Sequence, residues 1–396
     1  SLRVWWVPHP ALARSVSIIV LTLPMVSCAP ADDPDARVER FQAALDALRA
    51  ETEIPGATAA YSTPDGAVRG FATGLANVEL DSPMEVESRM LAGSIGKTFV
   101  AATAIAASRE GKLGLDDRLA DWLGTEDWYA RLPNGSTVTL RHLLTHSSGL
   151  LDHVYLDPFR AAMDRTRGDA TASLSPRELI EFVLDAEPLF AVGEGYAYSD
   201  TGYILVGLVL ERAVGKPYYD QVRERFLDRL ELTRTRPSDR PELPGLAAGY
   251  LETKNRFGLP SRVVGDDGSM RYNPATEWTG GGLYSNPQDL VRWAKLLYEG
   301  RAIDGDYLDE LLHSGYRGDD ATAVYGLGAY QYQTSFGPAY GHGGWIPGYN
   351  SAMRYFPAER FALAIQINRS YDNDLPAIVD RLAAAYLGAA LTPSDG

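Results

Sequence analysis

Cysteine is almost missing from this chain. Cys28 is the only one in 396 residues and none follows it, so an intrachain disulfide and a zinc-thiolate cluster are both excluded. Basic residues are outnumbered, 37 Lys and Arg against 52 Asp and Glu, for a net charge of −15. That balance disfavours nucleic acid as a partner and reads most simply as solubility. No apolar run approaches the roughly 20 residues that a membrane-crossing helix needs, and no repeat is visible. What is present is ordinary globular material, 45% hydrophobic and 22% charged. The length exceeds one usual core, so two units, or one domain with a large insertion, are expected.

The first 28 residues differ from the rest. Arg3 and Arg14 are their only charged residues, and Val16 to Val26 is almost wholly apolar, which is the grammar of a signal peptide. Met25-Val26-Ser27-Cys28, followed by Ala29, resembles a bacterial lipobox, although Met25 stands where Leu is usual. The expectation is export to the periplasm or cell envelope, with Cys28 lipidated and tethering the protein to a membrane; plain secretion is the alternative. Without residues 1–28, 35 basic and 52 acidic residues remain, a net of about −17.

Residues 29–36 read as a tether. Val38, Phe41, Leu45 and Leu48 then recur at helical spacing and stop before Ile54-Pro55-Gly56. Strand-like runs at 57–61 and 67–73 flank Thr63-Pro64-Asp65-Gly66, a strong turn signal. Good helix formers fill 97–110 up to Gly111. From 116 to 270 the pattern is mainly helical, with segments at 139–144, 175–184, 201–214 and 218–230. Ser285-Asn286-Pro287 starts another helix through Tyr298. Strands return at 325–333, 339–342, 350–356 and 361–368, before a closing helix over 376–387. The expected architecture is α/β of the α+β type: an antiparallel sheet flanked by helices, built from residues 37–115 and 271–390, with 116–270 as a helical insertion.

Ser94-Ile95-Gly96-Lys97 places a hydroxyl and an amine three residues apart at a helix start, so both lie on one face. A serine hydroxyl is a poor nucleophile until a neighbour takes its proton, and a desolvated lysine can serve as that base. The helix N-terminus adds N–H groups where an oxyanion would form. Alone, the quartet is common. Tyr198-Ser199-Asp200 lies in a loop leading into an apolar helix, where a tyrosine is as readily packing as chemistry. His342-Gly343-Gly344-Trp345 puts an imidazole beside glycines that let a ligand backbone approach, although an isolated histidine of this kind is more often structural.

Taken in order, Ser-x-x-Lys, Tyr-x-Asp and His-x-Gly resemble the three motifs of the penicillin-recognising serine hydrolases, in the branch of class C β-lactamases, D-Ala-D-Ala carboxypeptidases, family VIII esterases and D-amino-acid peptidases. Residues 140–150, Leu-Arg-His-Leu-Leu-Thr-His-Ser-Ser-Gly-Leu, and 280–285, Gly-Gly-Gly-Leu-Tyr-Ser, are similar to the same family, and the resemblance spans about residues 38–390. It implies the β-lactamase/transpeptidase-like fold and a covalent acyl-enzyme on Ser94. Lys97 is implied as proton acceptor, and Tyr198 as the group that protonates the leaving atom and later helps activate water. His342 is implied to hold the Tyr198 hydroxyl and substrate, and the Ser94 and Trp345 N–H groups to form the oxyanion hole. Gly343 and Gly344 complete the third motif. The substrate is a small molecule or peptide, and no metal or cofactor is implied; His142 and His146 lack the intervening Glu of a zinc peptidase.

Two departures bear on substrate. Asp200 stands where the family has Asn, so a carboxylate beside Lys97 favours its protonated form, leaving Tyr198 more of the base role. His342-Gly343-Gly344 replaces Lys-Thr-Gly and loses an ammonium and a hydroxyl that help hold a substrate carboxylate. The expectation is esters, amides or D-residue peptides, with weak β-lactam turnover. A true class C-type β-lactamase is one alternative, and a non-catalytic envelope binding or scaffold protein on this fold is another. A third reads Ala92-Gly93-Ser94-Ile95-Gly96 as an α/β-hydrolase elbow, but it leaves Lys97 and Tyr198 idle and requires a parallel sheet that the pattern lacks. Tyr155, Trp278, Tyr284 and Trp345 are expected to line the cleft. Oligomeric state is not legible.

Overall fold

The computed structural model describes residues 33–390, apart from 167, 168, 170, 314, 315 and 318–322. The leader and Cys28 lie outside the described residues. The first helix runs Pro34–Thr52, starting earlier than its apolar spacing marks: Asp33 accepts from the Asp35 N–H and Pro34 has no N–H to satisfy, which suits a first turn.

Among the described residues, nine strands form one antiparallel sheet. Its order is 82–83, 68–77, 56–62, 361–367, 349–356, 337–346, 330–334, 323–325 and 316–317, so strands from both ends of the chain lie side by side at its centre. Ala59 pairs with Ile365 and Ile365 with Ala352. Because side chains alternate across a strand, the two faces carry different residues. On one face Ala59, Tyr61, Leu363 and Ile365 pack with Phe41, Leu45 and Leu48 of the first helix and Ile378, Val379 and Leu382 of the last. On the other, Ala60, Ala362 and Ala364 are small and join a cluster with Phe99, Leu290 and Trp293 from helices 96–109 and 287–298. Phe99 and Trp293 stack at 4.0 Å.

Between Leu119 and Leu227 the elements are helices, of which Asp200–Val214 is the longest and most buried. From 231 to 282 the chain is mostly irregular rather than helical; its only strand, Arg236–Pro237, pairs in a small sheet with Leu283–Ser285, which also pairs with Met90–Leu91. The strand expected at 325–333 is two, Ala323–Tyr325 and Tyr330–Thr334, because Gly328 turns with φ +65° between them. The antiparallel sheet removes the α/β-hydrolase elbow as an option.

Candidate active site

Ser94 sits in a single turn, Gly93–Ile95, that runs directly into the buried helix Gly96–Arg109. The turn is pressed against strand 337–346. Gly93 has φ +54°, and a Cβ on it would lie 2.9 Å from Trp345 N. A Cβ on Gly344 would lie 2.0 Å from Ala92 O, and Ser351 Oγ donates to that same carbonyl at 2.8 Å. Two glycines therefore let the backbone of residue 345 come alongside the start of the nucleophile turn.

Lys97 is fully buried and its three donors have three acceptors: Ser94 Oγ at 3.3 Å, the Asp200 carboxylate in an ion pair, and Gly280 O. Asp200 is the first residue of the helix Asp200–Val214, which brings its carboxylate to the site. Gly280 follows Trp278, whose φ of +37° is a left-handed conformation that a bulky residue rarely adopts. That strained backbone leads into the carbonyl that meets Lys97.

The Tyr198 ring lies 4.9 Å from Lys97 Nζ, and among the described residues its buried hydroxyl has no partner in hydrogen-bond geometry. Burial first, then the Asp200 carboxylate, push the phenol well above its ordinary value, with the Ser94 hydroxyl pulling weakly the other way. The phenol therefore keeps its proton. This corrects the expectation that Asp200 shifts the base role to Tyr198: the charge next to the ring disfavours a phenolate.

A second correction concerns His342. It does not hold the Tyr198 hydroxyl: its Nε2 meets Tyr325 Oη at 3.0 Å and its Nδ1 meets Gly343 O at 2.5 Å. Its ring centre is 6.3 Å from that of Tyr198. Burial holds the imidazole down at about 3, so it is neutral. Gly343 itself is uncrowded, a Cβ there reaching only Ser351 O at 3.8 Å. Trp345 is 44% exposed, with its Nε1 donating to Ser370 O at 2.7 Å.

A cavity of about 210 Å³ opens beside Ser94, and Tyr198, Asp200, Tyr155 and Trp345 are on its wall. The other two aromatics expected there are elsewhere. Tyr284 is buried in the core with Met84 and Met90, and Trp278 packs edge-on against Tyr218 at 6.2 Å. Both are turned away because Leu283–Ser285 is a sheet strand and the kink at 278 rotates the indole back.

Four residues escaped the sequence reading. Asp152 and Glu277 line the cavity. Burial and then Asp200 push Asp152 well above its usual range, and the same causes, opposed by Lys97, raise Glu277 to about 7. A Cβ on Gly280 would meet Glu277 Oε2 at 3.4 Å and Asp200 Cγ at 3.7 Å, so two carboxyls converge there. His146 has φ +57°, stacks on Tyr198 at 4.1 Å and accepts from the Ser199 N–H through Nδ1 at 3.1 Å. It braces the phenol. Tyr325 does the same for His342. The only sequence signal for His146 was its place in the 140–150 stretch; nothing marked the others.

Fold and site together define a class, the serine hydrolases built on the β-lactamase/transpeptidase fold. The chain belongs to the Beta-lactamase family, whose model matches residues 41–387. It is 28% identical over 343 residues to esterase EstB of Burkholderia gladioli, covering 82% of each chain. It is 26% identical over 310 residues to a penicillin-binding protein of Bacillus subtilis, covering 76% of this chain but 65% of that one, so it spans less than two thirds of that relative's length. Among solved structures, the D-stereospecific amidohydrolase of Streptomyces sp. superposes with a TM-score of 0.75 at 26% identity, over 89% of this chain and 99% of that one.

Proposed function

We propose that this serine hydrolase cleaves an ester or amide, including D-residue peptides, through an acyl-enzyme on Ser94. The observation that carries the reading is the Ser94–Lys97–Asp200 contact chain beside the Tyr198 ring, all bordering one cavity or buried against it. To start the reaction Lys97 passes a proton to the Asp200 carboxylate it contacts, and the freed amine lone pair serves Ser94 Oγ as base. Ser94 then attacks the carbonyl carbon as its proton passes to Lys97. The Ser94 and Trp345 N–H groups receive the oxyanion. Collapse breaks the bond to the leaving atom, which takes the Tyr198 proton, and Lys97 returns a proton to Tyr198. Water repeats the sequence in reverse to release the acid.

The neutral His342, in place of a lysine ammonium, supports weak recognition of the β-lactam carboxylate. A β-lactam kcat/KM near the diffusional ceiling of about 10⁸ M⁻¹s⁻¹ would contradict this. The direct test is fluorophosphonate labelling together with a screen of p-nitrophenyl esters, D-alanyl peptides and nitrocefin. Labelling that is lost in Ser94→Ala supports the reading, and absence of labelling in the intact protein favours a scaffold. We also propose export and lipidation at Cys28; palmitate labelling in a bacterial host should disappear in Cys28→Ala, and an unlabelled wild-type chain would sink that proposal. Among the described residues no helix is long and apolar enough to cross a membrane.

A further inference from the structure

The cavity beside Ser94 continues into a second, outer groove of about 600 Å³, and the two share Tyr155, Arg256, Phe257 and Trp345. These four residues form the divide. The Arg256 guanidinium carbon lies 4.6 Å from the centre of the Tyr155 ring and 4.7 Å from that of Phe257, whose ring is 5.7 Å from Trp345. Tyr155 and Trp345, at 64% and 44% exposure, are two of the few large apolar side chains left open to solvent. One comes from the helical segment and one from the sheet.

The outer groove has a basic excess, Lys254 and the shared Arg256 against the single Glu252, whereas the inner cavity holds Asp152, Asp200 and Glu277 together with Arg271 and the shared Arg256. Arg256 has no carboxylate partner among the described residues; it is held by ring faces alone. Stacking uses the face of a guanidinium and leaves its in-plane N–H donors open, the geometry that reads a carboxylate. In a chain with a net charge of −15, an unpaired cation stacked at the mouth of the active site is poorly explained by packing alone.

We infer that the outer groove binds a carboxylate carried on a planar or apolar part of the substrate, with Arg256 as its reader. The outer groove supplies that anion with its cationic partners, so the carboxylate points outward and the scissile carbonyl inward, toward Ser94. Anion recognition lost from the third motif is thereby relocated to the 252–259 loop. This inference rests on the serine-hydrolase reading of Ser94, and its test is separable from that reading.

Binding is measured first, by calorimetric titration of the full chain with 3-phenylpropanoate and with its neutral amide. At low salt the carboxylate should bind about threefold to tenfold more tightly than the amide, since the pair is partly solvent-exposed. The advantage should shrink at about 0.5 M salt, persist in part in Arg256→Lys, and vanish in Arg256→Gln. Equal affinities in the wild type, or a preference that survives Arg256→Gln, overturn the inference. Turnover is measured separately, with the p-nitrophenyl monoester of glutaric acid against p-nitrophenyl valerate. Hydrolysis that persists in Ser94→Ala would remove the serine reading without affecting what the titration reports.

Discussion

Replacing Glu277 by Gln should make the protein more stable at pH 8 than at pH 5, relative to wild type. Glu277 borders the cavity beside the Lys97–Asp200 pair, and burial, followed by the Asp200 charge, raises its carboxyl from the ordinary 4.5 to about 7. Between those two pH values the folded protein holds a proton that the unfolded chain has released. Wild-type stability therefore falls as pH rises through that window, and the loss is complete once Glu277 is ionised in both states. A rise from 4.5 to about 7, at roughly 1.4 kcal/mol per pH unit, sets a ceiling of about 3 kcal/mol. Glu277 retains some contact with the cavity, so about 1–3 kcal/mol is the working range. Glutamine keeps the shape and has no charge to bury. Urea midpoints for both proteins, taken from pH 4.5 to 8.5, give the difference directly. Acid loss of stability from the buried histidines, His342 held at about 3 and His153 at about 4, has the opposite pH sense, but it is common to both proteins and cancels in the comparison. A difference that stays flat across pH 5 to 8 would refute the account of Glu277.

Tyr198→Phe removes a buried hydroxyl without a hydrogen-bond partner among the described residues, so the fold should be unchanged or about 1 kcal/mol more stable. Activity should nevertheless fall by about 10² to 10⁴, read as kcat on an activated ester; full activity with a phenylalanine there would eliminate Tyr198 as proton donor. Gly344→Ala places a methyl 2.0 Å from Ala92 O and must push strand 337–346 off the nucleophile turn. The expected cost is about 1–3 kcal/mol in thermal or urea stability and about 10² to 10³ in kcat, as the Trp345 N–H leaves the oxyanion position. Unchanged kinetics would show that this approach is not needed.

Much of the local structure was legible in the sequence because its signals are short-range. The capping and periodicity that start helix 287–298, with Asn286 accepting from the Asp289 N–H, are written in four consecutive residues. Ser94 and Lys97 share a face through helical geometry alone. The turn at 63–66 and the small residues of strand 56–62 needed no partner to be read. The resemblance supplied Tyr198, which no local pattern singles out.

What only the tertiary structure decided depends on groups brought together from distant parts of the chain. Gly280 O reaches Lys97 across 183 positions and leaves no trace in the sequence, while the Asp200 contact across 103 positions was expected through the family resemblance and not from any periodic pattern. His342 had the right place in the motif order, yet its hydrogen-bond partner was set by where Tyr325 came to lie beside it. Glu277, Asp152 and Arg256 occupy segments without regular spacing, so only folding shows that two of them face the nucleophile and the third stacks at its entrance. A sequence pattern records which face a side chain takes on its own element. The dielectric around an ionisable group, and the charges it meets there, come from everything the fold packs against it.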